Sequence, residues 1–149
     1  MSLSNTTESD LLLLIFNNTN DALIGDATGL RGSTTAGSLY VALHTADPGE
    51  AGDQTTNEAT YTGYARVAVA RSGAGWTISG TAPTQAANTA AVTFGLCTAG
   101  SNTITHVSVG VATSGASKIL WSGALTASLA VSAGITPSFA IAALACTLD

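Results

Sequence analysis

Charged side chains are scarce in this chain. Only 9% of its 149 residues are Asp, Glu, Lys or Arg, against about a quarter in an average domain. The four cations are scattered, whereas nucleic-acid binding proteins neutralise phosphates with clustered Lys and Arg, so we expect no nucleic-acid partner. With 46% hydrophobic residues and so few charges, the composition predicts a folded protein that hides part of its surface against partners.

Cysteines and long apolar runs are also few. Cys97 and Cys146 are too few for a disulfide framework and fit no metal motif, so we predict two small buried hydrophobic residues. The run "LLLLIF", residues 11–16, is far shorter than the roughly 20 residues that span a bilayer. Glu8 and Asp10 precede it, instead of the positive charge of a signal peptide. We therefore expect no membrane partner and folding in the cytoplasm where the chain is made.

The first 37 residues predict a helix followed by loop. Asn5 is the expected N-cap, with Glu8 completing a capping box, and a second short helical turn is expected in residues 21–32. The apolar run lies on all sides of the first helix, so that helix must be covered all round. We predict that residues 1–37 act as a docking arm, and the alternative is a helix held wholly within its own domain. The residues expected at an oligomer or capsid interface are Leu11, Leu12, Leu13, Leu14, Ile15 and Phe16.

From residue 38 the pattern becomes that of strands. In "SLYVALHT", Leu39, Val41 and Leu43 alternate with Tyr40, Ala42 and His44, and period two predicts a strand. Further short segments of this kind are separated by Gly, Asn, Ser or Pro. The segments are "ARVAVAR", "GWTISG", "AAVTFG", "TITHVSVGVA", "KILWSGAL", "SLAVS" and "PSFAIAALACTL". We predict a mainly β chain in which residues 38–149 form an antiparallel β-sandwich or jelly-roll-like domain of about eight short strands.

The stretch "LHTADPGEAGD" brings together a histidine and several carboxylates, side chains that can bind a metal or transfer a proton. Asp47, Glu50 and Asp53 lack the ligand spacing of a calcium loop, and the Asp-Pro-Gly sequence predicts a turn with a solvated acidic surface. His44 ends a strand and could bond Asp47, three residues on. His44 and His106 could hold a metal only if their strands bring them together. We therefore expect no metal site, and a cation bound by the acidic loop is the alternative.

Catalytic patterns are equally hard to find. There is no G-x-S-x-G elbow, and the glycine-rich stretches lack the ending of a phosphate-binding loop. The acid/base inventory is thin, so we expect neither an enzyme nor a cofactor. Trp76 and Trp121 fall in predicted strands, where large aromatics usually form core, and a carbohydrate-binding platform is the sharper alternative.

Several stretches together resemble a family of small tailed-bacteriophage virion proteins, often labelled tail fibre proteins. The most specific pieces are Leu43–Gly49 ("LHTADPG") and Gly63–Val67 ("GYARV"), and the resemblance covers nearly the whole chain. It implies a virion structural protein made in the bacterial host cytoplasm, and it supplies no catalytic residues.

Two places on the virion compete under this resemblance. The first is a capsid decoration, or cement, protein on the outside of the head, often trimeric and bound to the major capsid protein. We favour it because the chain has no coiled coil or fibrous repeat and carries little charge. The alternative is a tail fibre or tail-tip component that contacts tail proteins and the host surface.

Overall fold

A computed structural model describes residues 3–22, 24–25, 29–81 and 84–148. Within these residues the protein has one short N-terminal helix and nine strands, so the predicted mainly β class is confirmed. The elements are α1 Asn5–Asn17, β1 Ser38–His44, β2 Val67–Ala70, β3 Trp76–Ser79, β4 Thr84–Asn88, β5 Val92–Thr93, β6 Ser101–Gly110, β7 Ile119–Ser132, β8 Ser138–Phe139 and β9 Ala145–Leu148.

The strands form three sheets, with orders β2-β1-β6-β7, β3-β4-β9 and β5-β8. The described chain divides into two compact units. Unit 1 comprises the described residues of Met1–Ser38, Val69–Ala91 and Ala140–Asp149, and unit 2 comprises Leu39–Ala68 and Val92–Phe139. The predicted division into an arm of residues 1–37 and a β domain of residues 38–149 stays a prediction.

Most predicted strands are present, with three differences. The segments "KILWSGAL" and "SLAVS" form one continuous strand, β7, and "PSFAIAALACTL" contains two strands, β8 and β9. β4 is a strand that periodicity did not predict. Its sequence, TQAAN, has small or polar residues that are buried at four of five positions, so burial does not alternate along it. Such a strand shows no period-two hydrophobic signal.

Helix α1 begins one residue earlier than predicted. Ser4 is the N-cap: it has extended backbone angles, and its Oγ accepts a hydrogen bond from the Thr7 N–H at 3.3 Å. The predicted N-cap, Asn5, is instead the first helical residue. Glu8 therefore lies beyond the capping-box position, and its buried carboxylate accepts a hydrogen bond from Thr84 Oγ1 at 3.1 Å.

The end of α1 is closed by groups from elsewhere in unit 1. Asn18 has a positive φ of 58°, and Thr19 N–H donates to the Leu13 carbonyl at 3.1 Å. Arg71 donates to the carbonyls of Leu14 and Ile15 at 2.6 and 2.5 Å. A guanidinium at a helix C-terminus satisfies carbonyls that lack an intrahelical partner and opposes the negative end of the helix dipole.

The core of unit 1 forms where α1 packs on β3 and β4. Phe16 and Trp76 are fully buried, and their rings meet edge to face with centroids 4.8 Å apart. The predicted core position of Trp76 is thereby confirmed. The second helical turn expected in residues 21–32 is not seen in its described part, where Asp21 and Leu30 form an antiparallel bridge. Leu23 and residues 26–28 of that segment lie outside the described residues.

Unit 2 has its own core. Val41, Leu43 and Ile104 from β1 and β6 are fully buried. An aromatic row continues this core: Tyr64 stacks on Phe94 with centroids 6.1 Å apart, and Phe94 meets Phe139 edge to face at the same distance. Strand β1 is buried from Val41 to His44, so both of its faces are covered. This double burial places the polar end of β1 inside unit 2.

Candidate functional site

A buried group of polar side chains lies at the end of β1 in unit 2. These side chains come from β1, β6, and the segments between β1 and β2 and between β6 and β7. Buried polar groups need partners, because each unsatisfied group costs about 1–3 kcal/mol. The group is called the Arg66 cluster below. It consists of His44, Gln54, Glu58, Tyr64, Arg66, Ser108 and Ser117.

Arg66 is the centre of the cluster. Its side chain is 2% exposed and forms a two-pronged ion pair with Glu58, Nε to Oε1 at 2.6 Å and Nη2 to Oε2 at 2.8 Å. Glu58 raises the pKa of Arg66. The same guanidinium donates to the carbonyls of Ala112 and Gly115 at 3.1 and 2.9 Å and to Ser117 Oγ at 3.1 Å. Arg66 thus fastens the loop between β6 and β7.

Tyr64 connects this ion pair to strand β1. Its hydroxyl donates to Glu58 Oε1 at 2.9 Å and accepts from the backbone N–H of Leu43 at 3.1 Å. Burial is the main cause that raises the pKa of Tyr64. The phenol therefore stays protonated at neutral pH, and it connects the backbone N–H of Leu43 to the Glu58 carboxylate by hydrogen bonds.

Gln54 is fully buried on the other side of Arg66. Its amide nitrogen donates to the Tyr40 carbonyl at 2.9 Å, and its Oε1 accepts from Ser117 Oγ at 2.8 Å and from Arg66 Nη1 at 3.3 Å. Gly110 makes room for it, because a Cβ at position 110 would lie 2.2–2.6 Å from the Gln54 amide atoms. The absence of a side chain at the end of β6 therefore lets Gln54 occupy its place in the cluster.

His44 completes the cluster and is fully buried. Its Nδ1 lies 2.8 Å from the carbonyl of Thr56, which can only accept, so Nδ1 carries the proton. In the neutral ring Nε2 then accepts from the hydroxyl of Ser108, 2.7 Å away. Burial lowers the pKa of His44, and this outweighs the Thr56 carbonyl and Glu58, which raise it.

His44 binds these two partners and not Asp47, which the sequence offered as a possible partner. Asp47 Oδ1 instead accepts from the N–H of Gly49 at 2.8 Å, which closes the predicted Asp-Pro-Gly turn. Asp53 forms a similar local turn with Thr55, whose N–H donates to it at 2.7 Å. Hydrogen bonds from Thr55 are the main cause that lowers the pKa of Asp53.

The two histidines are brought together by the sheet. His44 lies directly opposite His106 in the antiparallel pairing of β1 with β6. His106 Nδ1 is 2.9 Å from Thr105 Oγ1. Across residues 3–22, 24–25, 29–81 and 84–148, no group of three or more His, Cys, Asp or Glu side chains is placed to hold a metal ion. The pairing of the strands, which the sequence left open, thus creates a histidine pair without a third ligand.

The helix residues predicted for an interface divide into two sets. Leu12 and Phe16 are fully buried within unit 1. The four partly exposed residues are Leu11, Leu13, Leu14 and Ile15. Only these four keep surface for a partner, and that role stays a prediction. None of the helices in the described part of the chain is both long and apolar enough to cross a membrane.

Chemically, the Arg66 cluster is saturated. The Arg66 guanidinium, the Glu58 carboxylate and the Gln54 amide hydrogen-bond to one another, to neighbouring side chains of the cluster or to backbone carbonyls. The cysteines are buried as predicted, and burial raises the pKa of the Cys146 thiol to about 12, which makes it a poor nucleophile at neutral pH. The arrangement is suited to hold a loop in one conformation.

Sequence reasoning missed most of this cluster. It gave Gln54, Glu58, Ser108 and Ser117 no role. One signal was available: Tyr64 and Arg66 lie in "GYARV" and His44 lies in "LHTADPG", the two most specific pieces of the family resemblance. The structure joins both pieces in the Arg66 cluster.

Comparison with known proteins bears on identity. A search of curated proteins found no match. A model of the Gp80 family, described as podophage GP4 fiber I protein gp80, matches residues 2–147. This match confirms the resemblance to phage virion proteins of the fibre type, and it covers nearly the whole chain. The protein therefore belongs to the Gp80 family of podophage fibre proteins, which are structural proteins of the virion.

Proposed function

We propose that this protein is a surface subunit of a podophage particle and that it forms part of a fibre. The observation that carries the proposal is the family match over residues 2–147, because the family is described as a fibre protein. The proposal includes no catalytic activity, in keeping with a family of structural virion proteins.

The mechanism we propose is passive. Subunits self-associate, and they bind either tail proteins or the major capsid protein. With 9% charged residues, little charge must be desolvated when such contacts form. The Arg66 cluster supports this role because it holds the loop between β6 and β7 through the protein's own side chains.

Capsid decoration is the second candidate. The low charge of the chain and the lack of a coiled coil or fibrous repeat in its sequence favour it. A cement protein would bury apolar area against neighbouring coat subunits, at about 25 cal/mol per Å² before association costs are subtracted. Many copies would then stiffen the shell against the packaged genome.

Imaging virions that lack the protein tests both candidates. Particles from a phage with the gene deleted are compared with wild-type particles by cryo-electron microscopy, by host adsorption and by survival after heating. A fibre role predicts loss of fibre density and weaker adsorption with heads that are as heat-stable as before. A decoration role predicts loss of density on the head and heads that fail at lower temperature. Purified wild-type virions that contain no copy of the protein would overturn both.

A further inference from the structure

Strand β7 lies at one edge of the four-stranded sheet. It spans 14 residues, Ile119–Ser132, against about five or six in an average strand. An edge strand leaves alternate backbone N–H and C=O groups directed away from the sheet, and proteins usually protect such edges with short strands, charges or Pro. β7 has no charged residue and no Pro along its whole length.

The opposite edge of the same sheet is different. β2 has only four residues, Val67–Ala70, and is flanked by Arg66 and Arg71. Short length is a usual protection of an edge, and the two arginines do not add to it because their guanidinium groups bind Glu58 and the carbonyls of Leu14 and Ile15. The contrast indicates that the open edge at β7 is a property of this strand and not of the sheet as a whole.

Pairing with β6 gives β7 two regular stretches, and a second irregularity separates them from Ile119, which lies opposite Gly110. Trp121–Ala124 lie opposite His106–Val109, and Leu129–Ser132 lie opposite Ser101–Ile104. Between them, residues 125–128 face the single residue Thr105 in an irregularity of the register. The two stretches have four residues each and are placed symmetrically about this irregular segment.

We propose that β7 pairs antiparallel with β7 of a second copy of this chain, a proposal that rests on the self-association proposed above. A two-fold axis at residues 125–128 would place Trp121–Ala124 of each copy opposite Leu129–Ser132 of the other. The two paired stretches have the same length, four residues. In a two-fold interface the same surface of each copy contacts the other, so a charge on that surface would lie near an identical charge. An uncharged strand in a chain of net charge −5 meets that requirement.

This register makes a specific pair. Gly123 of one copy lies opposite Ala130 of the other, and directly opposite residues have Cβ atoms about 4.5–5.5 Å apart, close enough for a disulfide after small adjustment. Within one chain the same two positions lie opposite Val107 and Thr103, four residues apart on β6, or about 13 Å at the usual rise, and cannot be bridged. A Cβ at position 123 meets nothing within 4 Å, and Ala130 is exposed, so both sites accept cysteine.

The experiment is oxidation of the full-length Gly123→Cys/Ala130→Cys double variant, followed by a non-reducing gel. We expect a covalent dimer that reducing agent dissolves. The single variants are the controls: the proposed register does not place either position opposite itself, so neither should give more dimer than wild type. Dimer formation that is equal in a single variant would overturn the register.

Sedimentation of the wild-type chain separates this proposal from the one on which it rests. Two-fold pairing predicts an assembly of even order. A trimer would overturn β7 pairing, and so would an oligomer whose double variant fails to cross-link. In either case self-association would stand but would use a different surface. A wild-type chain that is monomeric at all concentrations tested would overturn both.

Discussion

Arg66 and Glu58 face each other in a two-pronged ion pair, with Nε–Oε1 and Nη2–Oε2 distances of 2.6 and 2.8 Å. The two residues are eight positions apart in the sequence. Glu58 also forms an antiparallel backbone β-bridge with His44, so the ion pair connects the segment before β2 to the end of β1. A buried charge that keeps its partner is tolerated, whereas one left alone is costly. Loss of the Arg66 guanidinium would therefore leave the Glu58 carboxylate without its partner and destabilise unit 2.

We expect Arg66→Lys to destabilise the protein by about 2–4 kcal/mol, because the ammonium cannot reproduce the fork and a buried pair broken on one side costs about 3–5 kcal/mol. Urea unfolding measures the change. Arg31→Lys, at an exposed arginine, is the matched control and should change stability by less than about 0.5 kcal/mol. Amide exchange should also quicken in residues 112–117. Equal effects of the two variants would show that the fork contributes nothing.

Acid should weaken unit 2 through His44. Burial lowers the pKa of this histidine in the folded state below its ordinary value of 6.5, despite the opposing effect of Glu58 and with help from Arg66 and His106. Its contribution to stability is then complete above pH 6.5 and is lost as the pH falls from there towards the folded-state pKa, because the unfolded chain binds the proton more readily. Urea unfolding between pH 7.5 and 5 measures the slope.

The variant His44→Gln should flatten that slope, since glutamine can still donate and accept but does not titrate in this range. His106→Gln removes the neighbouring, partly exposed histidine and serves as the control. If the slope survives in His44→Gln and vanishes in His106→Gln, the pH dependence belongs to His106.

The strands and the cluster differ in how far the sequence predicts them. β1 alternates apolar residues and is seen at once, whereas β4 buries Ala86, Ala87 and Asn88 in a row and gives no periodic signal. The Asp-Pro-Gly turn is local chemistry, so it is predicted correctly. The contacts of Arg66 with Ala112, Gly115 and Ser117 depend on which loop the hairpin of β6 and β7 brings to it, and these partners are 46–51 residues away in the sequence.

The N-cap of α1 is a case where neighbouring residues of similar type compete. Ser4 and Asn5 are both good caps by propensity, and backbone geometry selects Ser4. We expect Ser4→Ala to cost about 1 kcal/mol. Asn5→Ala should be neutral or slightly stabilising, because alanine is the better residue inside a helix. Thermal unfolding of the two variants decides, and the reverse order of stabilities would restore Asn5 as the cap.

Gly110 tests the packing of the cluster without touching a hydrogen-bonding group. In Gly110→Ala the new Cβ would lie 2.2–2.6 Å from the Gln54 amide, so Gln54 must leave the Tyr40 carbonyl or Ser117. We expect a loss of about 1–3 kcal/mol, the range for overpacking and for one unsatisfied buried group. Gly123→Ala on the adjacent strand β7 meets nothing within 4 Å and should be neutral or slightly stabilising.

A double variant tests whether Gly110 acts through Gln54. Gln54→Ala should relieve the clash at position 110, so Gly110→Ala/Gln54→Ala should be less destabilised than the sum of its single changes. Strict additivity in urea unfolding would mean that Gly110 is needed for some reason other than the room it leaves for Gln54.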